Sequence, residues 1–345
     1  MVIKTWSLRI VLILFNIFLI IFIFEIVLRF YHYDPNDSDS EGWWKLRYHT
    51  TLKKSYRGIG FTENPDQFHP MLGWIPHPNL SINSDFGKLT FNSQGIRSSK
   101  EYTVYKNDKK RIITIGDSFT YGECVNNEET YSAYLEKISK DTEVLNFGVH
   151  GYGLDQMLLR LNEAVLYKPD IVIVGLFNAD VFRISLSFRE YQKPKFILKK
   201  GSLELINTPL TDPDIYSRTF HLLTSDLLSI IKDKYMKTLY AKEQKNQELN
   251  LASTIIQEMG KTNKKVGANW YLLYLPTYNE VKFNSSDPHP VYTIICQDNH
   301  VNCIDPTKNL HQYIKSVSRP ETLFKCHYSK EIHEVIAEVL YDKIN

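Results

Sequence analysis

The pattern of apolar and polar residues sets the N-terminus apart from the rest of the chain. Residues 10–28 read IVLILFNIFLIIFIFEIVL, an apolar run that only Asn16 and Glu25 interrupt. A helix needs about 20 apolar residues to cross the hydrocarbon core of a bilayer. The pattern therefore predicts one membrane-spanning helix, with membrane contact over residues 8–29. We expect Glu25 to reach the membrane interface, with a role in helix pairing as the alternative.

The flanking residues predict the orientation of this helix. Arg29 follows the apolar run directly and no small-residue cleavage site is present, so we interpret the segment as an uncleaved signal anchor. Lys4 and Arg9 precede the run, whereas four acidic residues follow it, at positions 34, 37, 39 and 41. Because positive charge stays on the cytoplasmic side, we expect a single-pass cell-membrane protein whose C-terminal part is extracytoplasmic.

Beyond residue 108, short β-branched runs alternate with helical periodicity. The predicted strands RIITI, EVLNF and DIVIVGLF lie at residues 111–115, 143–147 and 170–177, and predicted helices over 129–138 and 154–167 separate them. Strands that are apolar on both sides and joined through helices are typical of a parallel sheet covered on both faces. The sequence therefore predicts an α/β fold, with a parallel sheet flanked by helices.

The alternation stops at about residue 181 and resumes at about residue 265. The interruption contains a predicted hairpin that turns near Lys200 and Gly201, and then a Lys- and Glu-rich helical region over about residues 218–259. After it come the strand NWYLLYLP, a helix from Pro290, the strand VNCID and a final amphipathic helix. We interpret the interruption as one insertion in a single α/β domain.

Three parts of the chain are thus expected. Residues 1–30 form a cytoplasmic stub and the signal anchor, residues 31–108 form a stalk and a β-rich extension, and residues 109–345 form the α/β domain with its insertion at about 181–265. The stalk assignment depends on polar, turn-rich segments such as DPNDSDSEG.

Composition and charge exclude several classes of protein. The 345 residues include 22 Tyr and 18 Phe, which is too aromatic for a disordered chain. Lys and Arg total 41 against 39 Asp and Glu, and no basic stripe stands out to release counterions from a nucleic acid. We therefore expect no nucleic-acid partner.

The cysteines would face an oxidising compartment, where pairing is expected. They are Cys124, Cys296, Cys303 and Cys326, and four cysteines allow three connectivities. The spacing CQDNHVNC would let Cys296 reach Cys303, which would leave Cys124 with Cys326. No CxxC or HExxH motif accompanies them, so we predict neither a metal site nor a cofactor.

Candidate catalytic residues follow the predicted strands. The segments GDSFTYG, NFGVHGYG and GLFNAD place Ser118, Gly151 and Asn178 after the first three strands, and His327 precedes the last helix. Ligands of open α/β sheets bind beyond the carboxyl ends of the strands. A serine, a backbone N–H, an amide side chain and a histidine at one edge form a set that is suited to acyl transfer.

These segments resemble the SGNH (GDSL) hydrolases, in the subset with an N-terminal membrane anchor. The resemblance runs from about Pro70 to the C-terminus and is interrupted mainly by the insertion. It implies a flavodoxin-like SGNH fold with Ser118 as nucleophile, His327 as catalytic histidine, and Ser118, Gly151 and Asn178 as the oxyanion hole. We expect Asp117 to brace the turn beneath the serine.

One departure from the family pattern concerns the acid that orients the histidine. The family places an aspartate two or three residues before the histidine, where this chain has Lys325 and Phe324. A backbone carbonyl or another carboxylate, with Glu321 and Asp305 as candidates, could replace it, or the enzyme is weak or inactive. A disulfide between the cysteines at positions 124 and 326 would hold the serine near the histidine without the acid.

The resemblance and the predicted location together imply a function. We expect a membrane-anchored extracytoplasmic serine esterase that removes acyl groups, O-acetyl groups first among them, from envelope glycans or lipids. The alternatives are an O-acyltransferase that uses the same serine and an SGNH-fold binding protein with weak or no catalysis.

Overall fold

The structure of the chain is a computed structural model that describes residues 2–30, 41–49, 65–84, 87–218, 222–284, 290–298 and 301–344. The predicted stalk at residues 31–40 and the segment 50–64 lie outside the described residues. The chain divides into two compact units. The first unit comprises Met1–Phe61, Phe188–Tyr191 and Thr211–Ala241, and the second comprises Thr62–Ser187, Gln192–Leu210 and Lys242–Asn345.

The elements are numbered along the chain. The strands are β1 (Asp66–His69), β2 (Gly73–Pro76), β3 (Ser81–Ser84), β4 (Gly87–Thr90), β5 (Lys110–Ile115), β6 (Thr142–Asn146), β7 (Ile171–Leu176), β8 (Phe188–Arg189), β9 (Tyr191–Gln192), β10 (Lys195–Lys199), β11 (Ser202–Ile206), β12 (Asn269–Tyr274) and β13 (Asn302–Ile304). The α-helices are α1 (Val2–Phe30), α2 (Glu41–Arg47), α3 (Ser118–Tyr121), α4 (Tyr131–Ile138), α5 (Leu154–Ala164), α6 (Asn178–Arg183), α7 (Pro213–Arg218), α8 (Leu223–Lys265), α9 (Tyr278–Lys282), α10 (Pro290–Asp298), α11 (Thr307–Ile314) and α12 (Lys330–Ile344).

In the first unit, α1 is long and apolar enough to cross a membrane. Its stretch Leu8–Val27 has a mean hydropathy of 3.1, and 6% of that stretch is buried. Near its end, the carboxylate of Glu25 accepts hydrogen bonds from the backbone N–H groups of Leu223 and Thr224, at 3.0 Å each. These N–H groups open α8 and have no acceptor within that helix, so Glu25 caps the N-terminus of α8.

The second unit contains the predicted sheet. Five parallel strands lie in the order β6-β5-β7-β12-β13, which is the flavodoxin-like order 2-1-3-4-5. Every residue of β7 is buried, because helices cover both faces. The predicted parallel sheet flanked by helices is confirmed. The hairpin expected within the interruption is also confirmed, since β10 pairs with β11 around a turn at Lys200 and Gly201.

The end of α8 belongs to the second unit, where it forms part of the connection from β7 to β12. Ala252, Ile255, Ile256 and Met259 are completely buried and share one face of the helix. Their spacing of three and four residues is that of an amphipathic helix on a core. The helix therefore continues to Lys265, because its apolar face packs into the unit beyond the Lys- and Glu-rich part.

Two antiparallel hairpins, β1–β2 and β3–β4, precede the sheet in the chain. Trp74 of β2 is fully buried, and its indole N–H donates to the carbonyl of His150 at 2.9 Å. The Tyr152 hydroxyl donates to the carbonyl of Trp74 at 2.6 Å. The extension is thus fastened to the loop that follows β6.

His333 on α12 is a buried neutral histidine that packs beside α4. Its Nδ1 accepts a hydrogen bond from the backbone N–H of Tyr131 at 3.1 Å, and its side chain is completely buried. Burial, with smaller contributions from the charges of Arg97 and His327, lowers the pKa of His333 from 6.5 to about 3. A histidine of this kind destabilises the folded state when the surrounding pH favours its protonation.

A pH-dependent stability follows from this pKa. Below pH 6.5 the unfolded chain protonates His333 while the folded chain does not, so the free energy of unfolding falls as the pH falls from 6.5 towards 3. We expect this group to remove about 2 kcal/mol between pH 7 and pH 5. In His333→Gln, the amide oxygen can still accept from the Tyr131 N–H, but the side chain does not titrate. The loss of unfolding free energy that His333 causes between pH 7 and pH 5 should therefore disappear. Denaturant unfolding of both chains at pH 7 and pH 5 measures it, and equal losses would contradict it.

Candidate active site

The turn between β5 and α3 carries Ser118, and its backbone leaves no space for a side chain at position 116. A Cβ atom on Gly116 would lie 2.0 Å from Thr120 Oγ1, so this position needs glycine. The carboxylate of Asp117 is fully buried and accepts a hydrogen bond from the Phe119 N–H at 3.0 Å, as an N-cap does. Asp117 therefore lies where a brace for the serine turn is expected.

Ser118 meets His327 although 209 residues separate them in the sequence. The Nε2 atom of His327 lies 2.9 Å from Ser118 Oγ, and Ser118 is 5% exposed. Phe119 and Tyr328 flank the pair, with the Phe119 ring 4.8 Å from the imidazole and 4.6 Å from the Tyr328 ring. The two residues predicted as nucleophile and base are thus in hydrogen-bonding contact.

The other imidazole nitrogen faces sulfur. The structure contains the Cys124–Cys326 and Cys296–Cys303 disulfides, which is the pairing that the sequence spacing favoured. His327 Nδ1 lies 4.0 Å from the sulfur of Cys124 and 4.0 Å from that of Cys326. Although these three ligand types lie close enough for a metal ion, both sulfurs are consumed by the disulfide and offer no thiolate.

The carboxylate nearest the imidazole is one that the sequence analysis missed. Glu123 Oε2 lies 3.6 Å from His327 Nε2, and the Glu123 side chain is 45% exposed. Of the two predicted candidates, Asp305 instead accepts hydrogen bonds from the Thr307 N–H at 2.9 Å and from the Thr307 hydroxyl at 2.6 Å, at the start of α11. Glu321 is exposed, and no ion pair or hydrogen bond in the described part of the chain joins it to the histidine. Glu123 directly precedes Cys124, so the predicted Cys124–Cys326 disulfide could have indicated that this carboxylate lies near His327.

The loop after β6 is tied to the serine turn by backbone and amide hydrogen bonds. The Val149 N–H donates to the Gly116 carbonyl at 3.0 Å, and the Asn146 side chain donates to the Thr120 carbonyl at 2.8 Å. A Cβ atom on Gly148 would lie 2.4 Å from the Tyr121 nitrogen. These contacts bring the loop of Gly151 against the helix that starts with the serine.

Two backbone donors at this edge have no acceptor among the residues that the structure describes. In the part of the chain that the structure describes, neither the Ser118 N–H nor the Gly151 N–H donates to a protein atom. Gly151 has a φ of +75°, which a glycine adopts at little cost. Donors that await an acceptor are what an oxyanion hole requires.

Asn178 is engaged with other partners. Its side-chain nitrogen donates to the Tyr274 hydroxyl and to Glu280 Oε1, at 3.0 Å each. Its oxygen is buried and has no partner among the described residues. In this arrangement neither amide hydrogen is available to an oxyanion, so the predicted role of Asn178 would require its amide to turn away from Glu280.

Buried charges stabilise the base of the site. The Arg183 guanidinium donates to Asp117 Oδ2 at 3.0 Å and to Asp180 Oδ1 at 2.7 Å, and both carboxylates are fully buried. Burial, and then the neighbouring charge of Asp117, raises the pKa of Asp180 well above its usual range. Because one guanidinium binds both carboxyl groups, it holds the N-terminal ends of α3 and α6 together.

His150 pairs with a buried carboxylate of the extension. Its Nε2 lies 2.7 Å from Asp66 Oδ1, and that carboxylate is 3% exposed. Its ring lies 6.0 Å from the Tyr121 ring and 6.3 Å from the Trp74 ring. His150 precedes Gly151 directly, so the extension helps to position the loop that carries this backbone donor.

Comparison with known proteins gives matches among solved structures only. No protein-family model matches the chain, and no curated protein sequence is significantly similar to it. The matched structures include a catalytic mutant of an acetylxylan esterase from Geobacillus stearothermophilus, at 13% identity over 70% of this chain and 97% of that one, with a TM-score of 0.41.

Two further matches are of the same kind. A psychrotrophic esterase from Pseudoalteromonas sp. is 14% identical over 68% of this chain and 97% of that one, with a TM-score of 0.39. A member of the lipolytic G-D-S-L family from Veillonella parvula is 9% identical over 68% of this chain and 98% of that one, with a TM-score of 0.38.

Proposed function

We propose that the chain is a membrane-anchored serine esterase of SGNH type. The observation that carries the proposal is the contact between His327 Nε2 and Ser118 Oγ, at 2.9 Å. A nucleophile and a base within hydrogen-bond reach are the shared requirement of serine hydrolases on unrelated folds. Both residues lie at the carboxyl edge of a parallel sheet, where ligands of such sheets bind.

The proposed reaction is a two-step acyl transfer. His327 takes the proton from Ser118 Oγ while that oxygen attacks the ester carbonyl carbon, and the N–H groups of Ser118 and Gly151 stabilise the oxyanion. The imidazolium then gives its proton to the leaving alcohol as the ester bond breaks. In the second step His327 deprotonates water as the water oxygen attacks the acyl carbon. The imidazolium then returns this proton to Ser118 Oγ as the acyl–oxygen bond breaks, which releases the acid and restores the serine. Asn178 joins the oxyanion hole if its amide leaves Glu280.

The Cys124–Cys326 disulfide takes the place of the orienting acid in this proposal. For Nε2 to accept the serine proton, His327 must carry its hydrogen on Nδ1, and the two sulfurs that Nδ1 faces are weak acceptors. The disulfide fixes the residue next to His327 to the segment that follows α3. The covalent bond thus holds the imidazole of His327 in position, while Glu123 provides a negative charge 3.6 Å from it.

The substrate class follows from location rather than from a residue of the site. With α1 as a membrane anchor and the second unit on the extracytoplasmic side, the accessible esters are those of envelope glycans and lipids. The acyl unit that we propose first is O-acetyl. An acyltransferase would use the same serine, with a sugar hydroxyl in place of water.

A fluorophosphonate probe tests for an activated serine before any substrate is known. We expect the full chain in detergent micelles to be labelled, and peptide mapping to place the phosphonyl group on Ser118. Heat-denatured protein is the control, because a serine activated by the fold must lose its reactivity on unfolding. A folded chain that remains unlabelled would overturn the esterase proposal in favour of an inactive binding protein.

A further inference from the structure

The first unit leaves apolar side chains exposed beside the membrane-spanning candidate. On α8, Leu228, Ile231 and Tyr235 are 66%, 58% and 64% exposed. Their spacing of three and four residues places them on one face of the helix. Leu222, just before the helix, is 42% exposed as well. We call the face formed by residues 228, 231 and 235 the apolar stripe.

The opposite face of the same helix is packed. Asp226 is 3% exposed, and a Cβ atom on Gly42 of α2 would lie 2.5 Å from its carbonyl oxygen. Ile230 lies against the same glycine, with its Cγ1 at 3.2 Å from that Cβ position. Among the described residues, the stripe is therefore the exposed side of a helix that α2 covers on its other side.

The position of α8 relative to the bilayer follows from Glu25. This carboxylate caps the N-terminus of α8 at Leu223 and Thr224, and it lies two residues before the end of the apolar stretch Leu8–Val27. The start of α8 is thus at the boundary of the hydrocarbon core. At 1.5 Å per residue, the stripe begins about 6 Å and ends about 17 Å along the helix from that boundary point.

We propose that the first turns of α8 lie in the outer membrane–water interface, with the apolar stripe inserted among the lipid acyl chains. This inference depends on the proposed anchoring by α1. An amphipathic helix in the interface buries its apolar face about 5–10 Å into the boundary region. Lys232 beside the stripe is exposed, and its ammonium group can extend to the headgroups.

Depth-dependent quenching tests the proposal on the full chain in phosphatidylcholine vesicles. A nitrobenzoxadiazole label on Ile231→Cys should lose at least about twofold more fluorescence to acyl-chain nitroxide lipids than the same label on Lys232→Cys, about 100° further round the helix. The native cysteines are all in disulfides and leave the new thiol as the labelling site. A label on Ile17→Cys, in the middle of α1, reports the anchor itself.

The outcomes separate the two proposals. Quenching at position 17, together with quenching at 231 that is at least about twofold stronger than at 232, supports the interfacial helix. Quenching at 17 alone overturns it and leaves the anchor intact, whereas no quenching at 17 overturns the anchor and the inference with it. If the label at 231 is protected from the nitroxide lipids and this protection appears only when the chain self-associates, a second copy of the chain covers the stripe and the lipid assignment is wrong.

Discussion

Replacing Ser118 by alanine is expected to abolish ester hydrolysis. The substitution removes the Oγ atom that lies 2.9 Å from His327 Nε2, and with it the acyl-enzyme route. Loss of the nucleophile in serine hydrolases lowers kcat by about 10⁴-fold to 10⁶-fold, and the remaining oxyanion donors supply the residual rate. Hydrolysis of 4-nitrophenyl acetate by the full chain measures the effect.

Three further variants serve as controls for the Ser118→Ala result. Ser132→Ala also removes a buried hydroxyl, one that lies 2.9 Å from Thr114 Oγ1, and it should keep kcat within about twofold of wild type. His327→Ala should match Ser118→Ala, and the double variant should be no slower than either, because the pair acts as a unit. Retention of a tenth or more of the activity in Ser118→Ala would place the chemistry at another residue.

The sheet could be predicted from sequence because its signal is local. Strands such as β7 read as unbroken apolar runs, since each of their residues is buried, and helical periodicity separates them. The end of α8 was harder to predict from the local sequence pattern. Its Lys- and Glu-rich first part resembles a solvated helix, and only packing within the second unit explains the four fully buried residues from Ala252 to Met259.

The candidate site divides in the same way. Ser118 and Gly151 lie in motifs at strand ends and His327 precedes the last helix, so the sequence alone was enough to select them as candidates. The partners of Asn178 could not be, because Tyr274 and Glu280 lie about 100 residues further along the chain and their approach depends on tertiary packing. The Asp66–His150 pair is also long-range, with a sequence separation of 84.

The disulfide gives the second large effect. In the double variant Cys124→Ala/Cys326→Ala, we expect kcat to fall by about 100-fold with little change in KM, because a displacement of about 1 Å at the reacting atoms can have that cost. His327 would lose both sulfurs that face its Nδ1 and the covalent tie that fixes the adjacent residue. Substrate contacts made elsewhere would remain.

Stability has to be separated from catalysis in this experiment. The disulfide closes a loop of 202 residues, for which the chain-entropy model assigns about 5 kcal/mol of stabilisation. The assay therefore belongs at a temperature where circular dichroism shows the variant folded. Cys296→Ala/Cys303→Ala is the matched control, since it removes a disulfide of sequence separation 7 between α10 and β13 and should leave kcat unchanged.

A reductant that cannot enter the membrane provides an independent form of the same test. It should lower kcat of the wild-type chain and of the Cys296→Ala/Cys303→Ala variant, but it should not lower further the kcat of Cys124→Ala/Cys326→Ala. Because KM reports binding and kcat reports the alignment of His327 with the serine, a loss confined to kcat assigns the disulfide a positioning role. A folded double variant with kcat within about threefold of wild type would show that His327 is oriented without the disulfide. The exposed carboxylate of Glu123 would then be the next group to replace.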